Sequence, residues 1–159
     1  MLALRGVLVT GLVGSLFVQT VMVVLLSRDL DDVDDLAYGP TPILVIVVLG
    51  ILAAEVVLVC VWQLAGMVRR GTVFSPGAFR YVHIVIGAFV AAALLTFALG
   101  VVLAPGEAVA PGVVLLIGGA GLAILGVALV VVVLRMLLAQ AVARDVEAAQ
   151  MQAELGEVI

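Results

Sequence analysis

The sequence predicts an all-α integral membrane protein: a four-helix bundle that ends in a helical extension outside the bilayer. Three observations lead there. Of the 159 residues, 66% are apolar and 11% charged, and the mean hydropathy is +1.44, more apolar surface than a soluble fold can cover. The apolar residues gather into four stretches, about 5–27, 42–68, 81–104 and 112–138. Each reaches the roughly 20 residues that a helix needs to cross a hydrocarbon core about 30 Å thick. None alternates in polarity over the roughly 9–11 residues of a spanning barrel strand, which leaves helices.

The first span opens after Arg5 and runs to Ser27. Its apolar run is longer than the core of a cleaved signal peptide, and no small-x-small cleavage pattern follows it, so it reads as an uncleaved anchor and first helix. The connection after it, RDLDDVDDLAYGPTP, sets Arg28 against Asp29, Asp31, Asp32, Asp34 and Asp35. The spacing of Leu30, Val33 and Leu36 allows a turn or two of helix there. These carboxylates lack the fixed Gly and distal Glu of a calcium loop and read as a solvated topology determinant or partner surface. Tyr38 suits the interface, and Pro42 sits near a helix start, where its missing N–H costs nothing.

The second span, about 42–68, holds the least expected residue of the chain. Glu55 falls at mid-span, where a carboxylate facing lipid is costly, so it must be neutral, paired or turned toward the bundle or a partner. The nearest polar candidate by depth is Gln19 of the first span, counted about 7 Å closer to the outer face. The economical state is a neutral acid donating a hydrogen bond. Two readings stay open: a structural or intersubunit hydrogen bond, and a site that relays a proton or binds a cationic ligand. Cys60, the single cysteine, excludes an intramolecular disulfide and reads as a small apolar core residue.

The second connection, RRGTVFSPGAFRYVH, is the densest polar segment. Gly71 suits a helix end, and Ser75 before Pro76 reads as an N-cap and first helical residue. Phe74 and Phe79 suit the interface, while Arg69, Arg70 and Arg80 can meet anionic lipid or a partner. His83 is the only histidine, lies at the edge of the third span (81–104) and has no ligand set beside it, so no metal site is expected. A short connection containing Glu107 leads to the fourth span, 112–138. Gly118-Gly119-Ala120-Gly121 within it is no phosphate loop, since it lacks the lysine and a preceding soluble strand. The pairs Gly50/Ala54, Gly87/Ala91, Gly100/Ala104 and Gly119/Ala123, with Gly118, Gly121 and Gly126, give capacity for close helix packing and for a homo-oligomer.

Residues 1–138 therefore form the membrane domain and 139–159 a cytoplasmic tail. The tail has strong helix formers and no proline, so the fourth helix is expected to continue to about Leu155. Val142, Val146 and Ala149 share one side, followed by Leu155, and this stripe suits docking to the Arg-containing loop or to another protein. Arg144 among several acids does not make a nucleic-acid binder. Orientation follows from arginine, since there is no lysine. Arg5, Arg69, Arg70, Arg80, Arg135 and Arg144 fall at one set of span ends, which places both termini in the cytoplasm.

The stretch Gly71-x-x-Phe74-Ser75 with Arg80 after the second span, and the ending Leu155-Gly156-Glu157-Val158-Ile159 after a fourth span and polar helix, resemble the domain-of-unknown-function 2975 family of small bacterial membrane proteins. Gly156 departs from the acidic residue of similar tails. The resemblance implies the bacterial cytoplasmic membrane and no established reaction, substrate or cofactor. Its members are often encoded beside a small helix-turn-helix DNA-binding protein, which implies a regulatory partner at the membrane. The expected function is non-enzymatic: protein interaction or membrane-linked regulation. The alternatives are a small transporter or ion-permeating oligomer that uses Glu55, and an accessory subunit of a larger membrane complex. Catalysis is not expected, because the lone His, lone Cys and Glu55 lie at different depths and form no reactive constellation.

Overall fold

The computed structural model describes residues 2–31, 38–70, 76–105 and 109–158. Four helices fill it: α1 (Leu2–Asp31), α2 (Thr41–Arg69), α3 (Pro76–Leu103) and α4 (Pro111–Val158). Among the described residues there is no strand, and all four helices are long and apolar enough to cross a membrane. The protein is a multi-pass membrane protein with an all-α fold. Hydrocarbon offers no partner to backbone N–H and C=O groups, so a helix that pairs them internally is the stable form for each stretch.

Helix starts follow the prolines. Gly39 takes a positive φ of 71°, which turns the chain just before α2, and the Leu44 N–H donates to the Pro40 carbonyl at 3.1 Å. Pro42 lies within the first two positions of α2, and Pro76 and Pro111 are the first residues of α3 and α4. At the other end of α2 the Arg70 N–H donates to the Met67 carbonyl at 3.1 Å. The Gly71 and Ser75 expectations lie outside the described residues. So do Phe74, Glu107 and the segment from Asp32 to Asp35, while α1 runs on through Asp31. The threonine hydroxyls inside the spans are satisfied locally: Thr10 donates to the Gly6 carbonyl, Thr20 to Leu16 and Thr96 to Ala92, each at 2.8 Å.

The helices assemble in chain order. Among the described residues α1 packs on α2, α2 on α3 and α3 on α4, whereas α1 meets neither α3 nor α4. The bundle is thus an open row, with α1 attached along one flank. Among the described residues the buried ones are Leu8, Ile43, Cys60, Ala78, Val85, Ala93, Gly100, Gly121 and Ala128, none of them polar. Large side chains such as Phe17, Leu94, Leu115, Leu116 and Leu129 point outward, as expected where the solvent is lipid.

Close approach between α3 and α4 depends on one glycine. A Cβ on Gly121 would lie 3.1 Å from the Phe97 ring, and one on Gly100 would lie 3.6 Å from Ile117. The other glycine spacings do not mark contacts of this kind. Gly87, Ala91, Gly119 and Ala123 are exposed, because a four-residue spacing fixes a helical face without saying which neighbour it meets. Gly50 and Ala54 line a half-open groove of about 560 Å³ between α2 and α3, with Ala88, Phe89, Ala92 and Thr96 opposite.

Gly121→Val should overpack the α3/α4 contact and lower stability by about 1–3 kcal/mol. Gly119→Val, with nothing within 4 Å of its Cβ position, should stay within about 0.5 kcal/mol of the parent protein. Reversible unfolding in lipid bicelles reads both, and equal effects would contradict this packing.

Candidate functional site

Two places gather polar groups: the middle of the α1/α2 contact, and the end of the bundle from which the far part of α4 projects. Gly11 brings α1 close to α2, with its Cβ position 3.6 Å from Leu58. Four residues further along α1 and three back along α2, the Ser15 hydroxyl donates to Glu55 Oε1 at 3.3 Å. Both residues are half-buried. Glu55 therefore turns toward a neighbouring helix, as its cost in lipid demands.

Its partner is Ser15, not Gln19. The antiparallel step that joins Gly11 to Leu58 and Ser15 to Glu55 carries Gln19, one turn on, past the carboxyl to the level of about Ile51. Sequence reasoning missed Ser15 because a serine in a spanning helix usually satisfies its hydroxyl on its own backbone, as Ser27 does with the Val24 carbonyl. The available signal was Gly11, four residues before it on the same face. Cys60, buried as a free thiol, is five residues from Glu55 and hence about 140° away around α2, so the two do not converge. The α2/α3 groove is lined almost wholly by apolar side chains, and Glu55 is not among its lining residues.

At the other place, Arg69, Arg70 and Arg80 are exposed, and His83 pairs through Nδ1 with the Phe79 carbonyl at 3.1 Å. No group of three His, Cys, Asp or Glu side chains suited to a metal occurs among the described residues. Arg135 is half-buried on α4, and its Nε is enclosed with no hydrogen-bond partner. It stands fourteen residues after Gly121 and seven after Ala128, on the face that packs against α3. Its stem can lie along that apolar contact while the guanidinium end reaches toward water.

Beyond Arg135, α4 continues unbroken to Val158. Its 48 residues make it about 72 Å long, more than twice the bilayer core. Val142 is half-buried and every residue from Ala143 to Val158 is exposed. Val142, Asp145, Val146 and Ala149 outline a shallow groove of about 350 Å³. Leu155, expected to follow this stripe, lies across the helix on the side of Met151, because six residues beyond Ala149 is a rotation of about 240°.

A family model described as Protein of unknown function (DUF2975) matches residues 25–159. The chain belongs to the DUF2975 family. No curated protein and no solved structure matches it. The matched residues of this DUF2975 chain include Glu55 and the whole of α4, while Ser15 precedes them. The Glu55 contact thus joins a helix inside the family match to one that lies largely outside it.

Ser15→Ala should lower the stability of the α1/α2 contact by about 1 kcal/mol, with Gln19→Ala nearly neutral. Unfolding of the two variants in bicelles compares them directly. A larger loss from Gln19→Ala would return Gln19 to the role of partner.

Proposed function

We propose that this DUF2975 protein is a non-enzymatic protein of the bacterial cytoplasmic membrane that mediates protein interaction or membrane-linked regulation. In this reading both termini are cytoplasmic and the far part of α4 is the segment that meets the partner. The observation that carries it is α4 itself: one unbroken helix of 48 residues, long enough to cross a membrane and continue well past it, whose sixteen residues 143–158 are all exposed. A span needs no such extension to be stable in lipid, and a helix without neighbours gives the chain no packing in return.

Charge supports the orientation. Arg69, Arg70, Arg80 and Arg144 lie at the end of the bundle where α4 projects, and Asp29 and Asp31, at the end of α1, lie at the other. Chemistry supports a role without catalysis. Glu55 is engaged by Ser15, His83 by its own helix, and Cys60 is buried in an apolar contact. The regulatory form of the proposal draws on the family resemblance, in which a small DNA-binding regulator is the expected partner, with no nucleic acid bound by this chain directly.

The test is gentle purification from the native membrane at native expression, followed by native mass analysis. A stoichiometric protein partner is expected, and it should be lost when residues 145–159 are removed while insertion continues. A partner-free protein, or a truncated chain that fails to insert, would overturn the proposal. Proton flux across liposomes that Glu55→Gln abolishes would favour transport instead, and an assembly of fixed larger stoichiometry would make the chain an accessory subunit.

A further inference from the structure

The face of α4 that packs on α3 does not end where α3 ends. Gly121, Ala128, Arg135, Val142 and Ala149 recur at intervals of seven residues. A straight helix drifts about 20° per seven residues, so the four intervals turn through about 80° and remain within one apolar face of about 100°. Gly121 touches Phe97, Ala128 is buried, and Arg135 has its Nε enclosed, so the first three lie in the α3 contact. Counting back twenty-one residues from Phe97 to Pro76, and forward the same number from Gly121, brings the start of α3 beside Val142. From there the same face continues through Val146, Ala149 and Ala153, which are exposed with no helix against them among the described residues.

Charge defines what fits there. From Ala139 to Val158 the helix carries Arg144 against Asp145, Glu147, Glu154 and Glu157, a net charge of −3. Asp145 borders the face on one side, where it helps to outline the shallow groove, and Glu157 borders it on the other, while Glu147 and Glu154 lie further round toward Met151. A second copy would bring the same net charge in parallel alignment, since both copies would be held in one membrane. An anionic bilayer surface would be repelled in the same way.

We infer that the extended α3-facing side of α4 is a docking face for one amphipathic helix of a soluble protein, whose apolar stripe is flanked by basic residues. The helix continues the line of α3: its apolar stripe packs on Val142, Val146, Ala149 and Ala153, and its Lys or Arg side chains meet Asp145 and Glu157. The inference rests on the reading of α4 as the interaction segment, and it adds the chemistry of the partner and the side of the helix that receives it.

Full-length protein in phosphatidylcholine nanodiscs tests it with defined probes: a synthetic amphipathic helix with a Leu/Ala stripe and Lys flanks, the same stripe with Glu flanks, and the Lys peptide with its stripe scrambled. Calorimetry should show the Lys-flanked helix binding at least tenfold more tightly than either control. Val146→Gln with Ala149→Gln should weaken it at least tenfold, and Asp145→Asn with Glu157→Gln should also weaken it. Met151→Gln with Leu155→Gln, on the opposite side, should leave it unchanged. Gln is a good helix former, so circular dichroism should be the same for all variants. Equal binding of all three peptides, or equal loss from the opposite-side variant, would overturn the inference. Self-association that the Val146/Ala149 variant abolishes would assign the face to a second copy and overturn it too. A native partner that needs residues 145–159 yet ignores Val146 and Ala149 would sink this inference and leave the interaction reading standing.

Discussion

Every feature of this structure answers to one constraint: within hydrocarbon, each backbone N–H and C=O must find its partner inside the protein. This produces four helices without a break, places Pro42, Pro76 and Pro111 at helix starts where no hydrogen bond is lost, and directs Thr10, Thr20 and Thr96 to carbonyls of their own turns. The constraint leaves the association between helices undetermined. Lipid is as apolar as the side chains it touches, so contact has to be won by close packing and by the few polar groups present. Gly121 against Phe97 is the first kind and Ser15 with Glu55 the second.

The two kinds of contact divide the bundle. Helices α2, α3 and α4 pack in sequence, with Gly100 and Gly121 at the α3/α4 contact. α1 stands outside that group, packs among the described residues on α2 alone, and is fixed there by Gly11 and by the hydroxyl on Glu55. The family match begins at residue 25, near the end of α1, so the helix with the fewest neighbours is also the one that lies mostly before the matched residues. Without α1, Glu55 would lose its hydroxyl partner and the cover of the helix that carries it, at a cost of a few kcal/mol for an acid at mid-membrane. The first helix thus shields a polar group that belongs to the rest.

Much of this was legible in the sequence, because length and composition are what the bilayer selects. The four spans, the proline starts and the anomaly of Glu55 follow from residue types alone. The partner of Glu55 did not, for a physical reason. The depth count puts Gln19 about 7 Å toward the outer face from Glu55, and it lies one turn beyond the carboxyl; Ser15, level with Glu55, is hidden by the expectation that a serine in a spanning helix bonds its own backbone. The glycine pairs give capacity for packing and no more: periodicity names a face of one helix, and only the neighbouring helix distinguishes Gly121 in contact from Gly119 exposed. In the tail, Val142, Val146 and Ala149 were visible as a stripe, but its continuity with the α3 contact required knowing where α3 begins.

The unbroken course of α4 also changes the energetics of its outer part. A peptide of some twenty residues with the composition of 139–158 would be a marginal helix in water, because the first turn is costly to form. Here that turn already exists, built inside the membrane where the backbone has no alternative, and the outer residues only have to propagate it. The bilayer thereby acts as a template for structure in the aqueous phase. Whatever meets this segment finds a helix already ordered, so little of the contact energy is consumed in folding it.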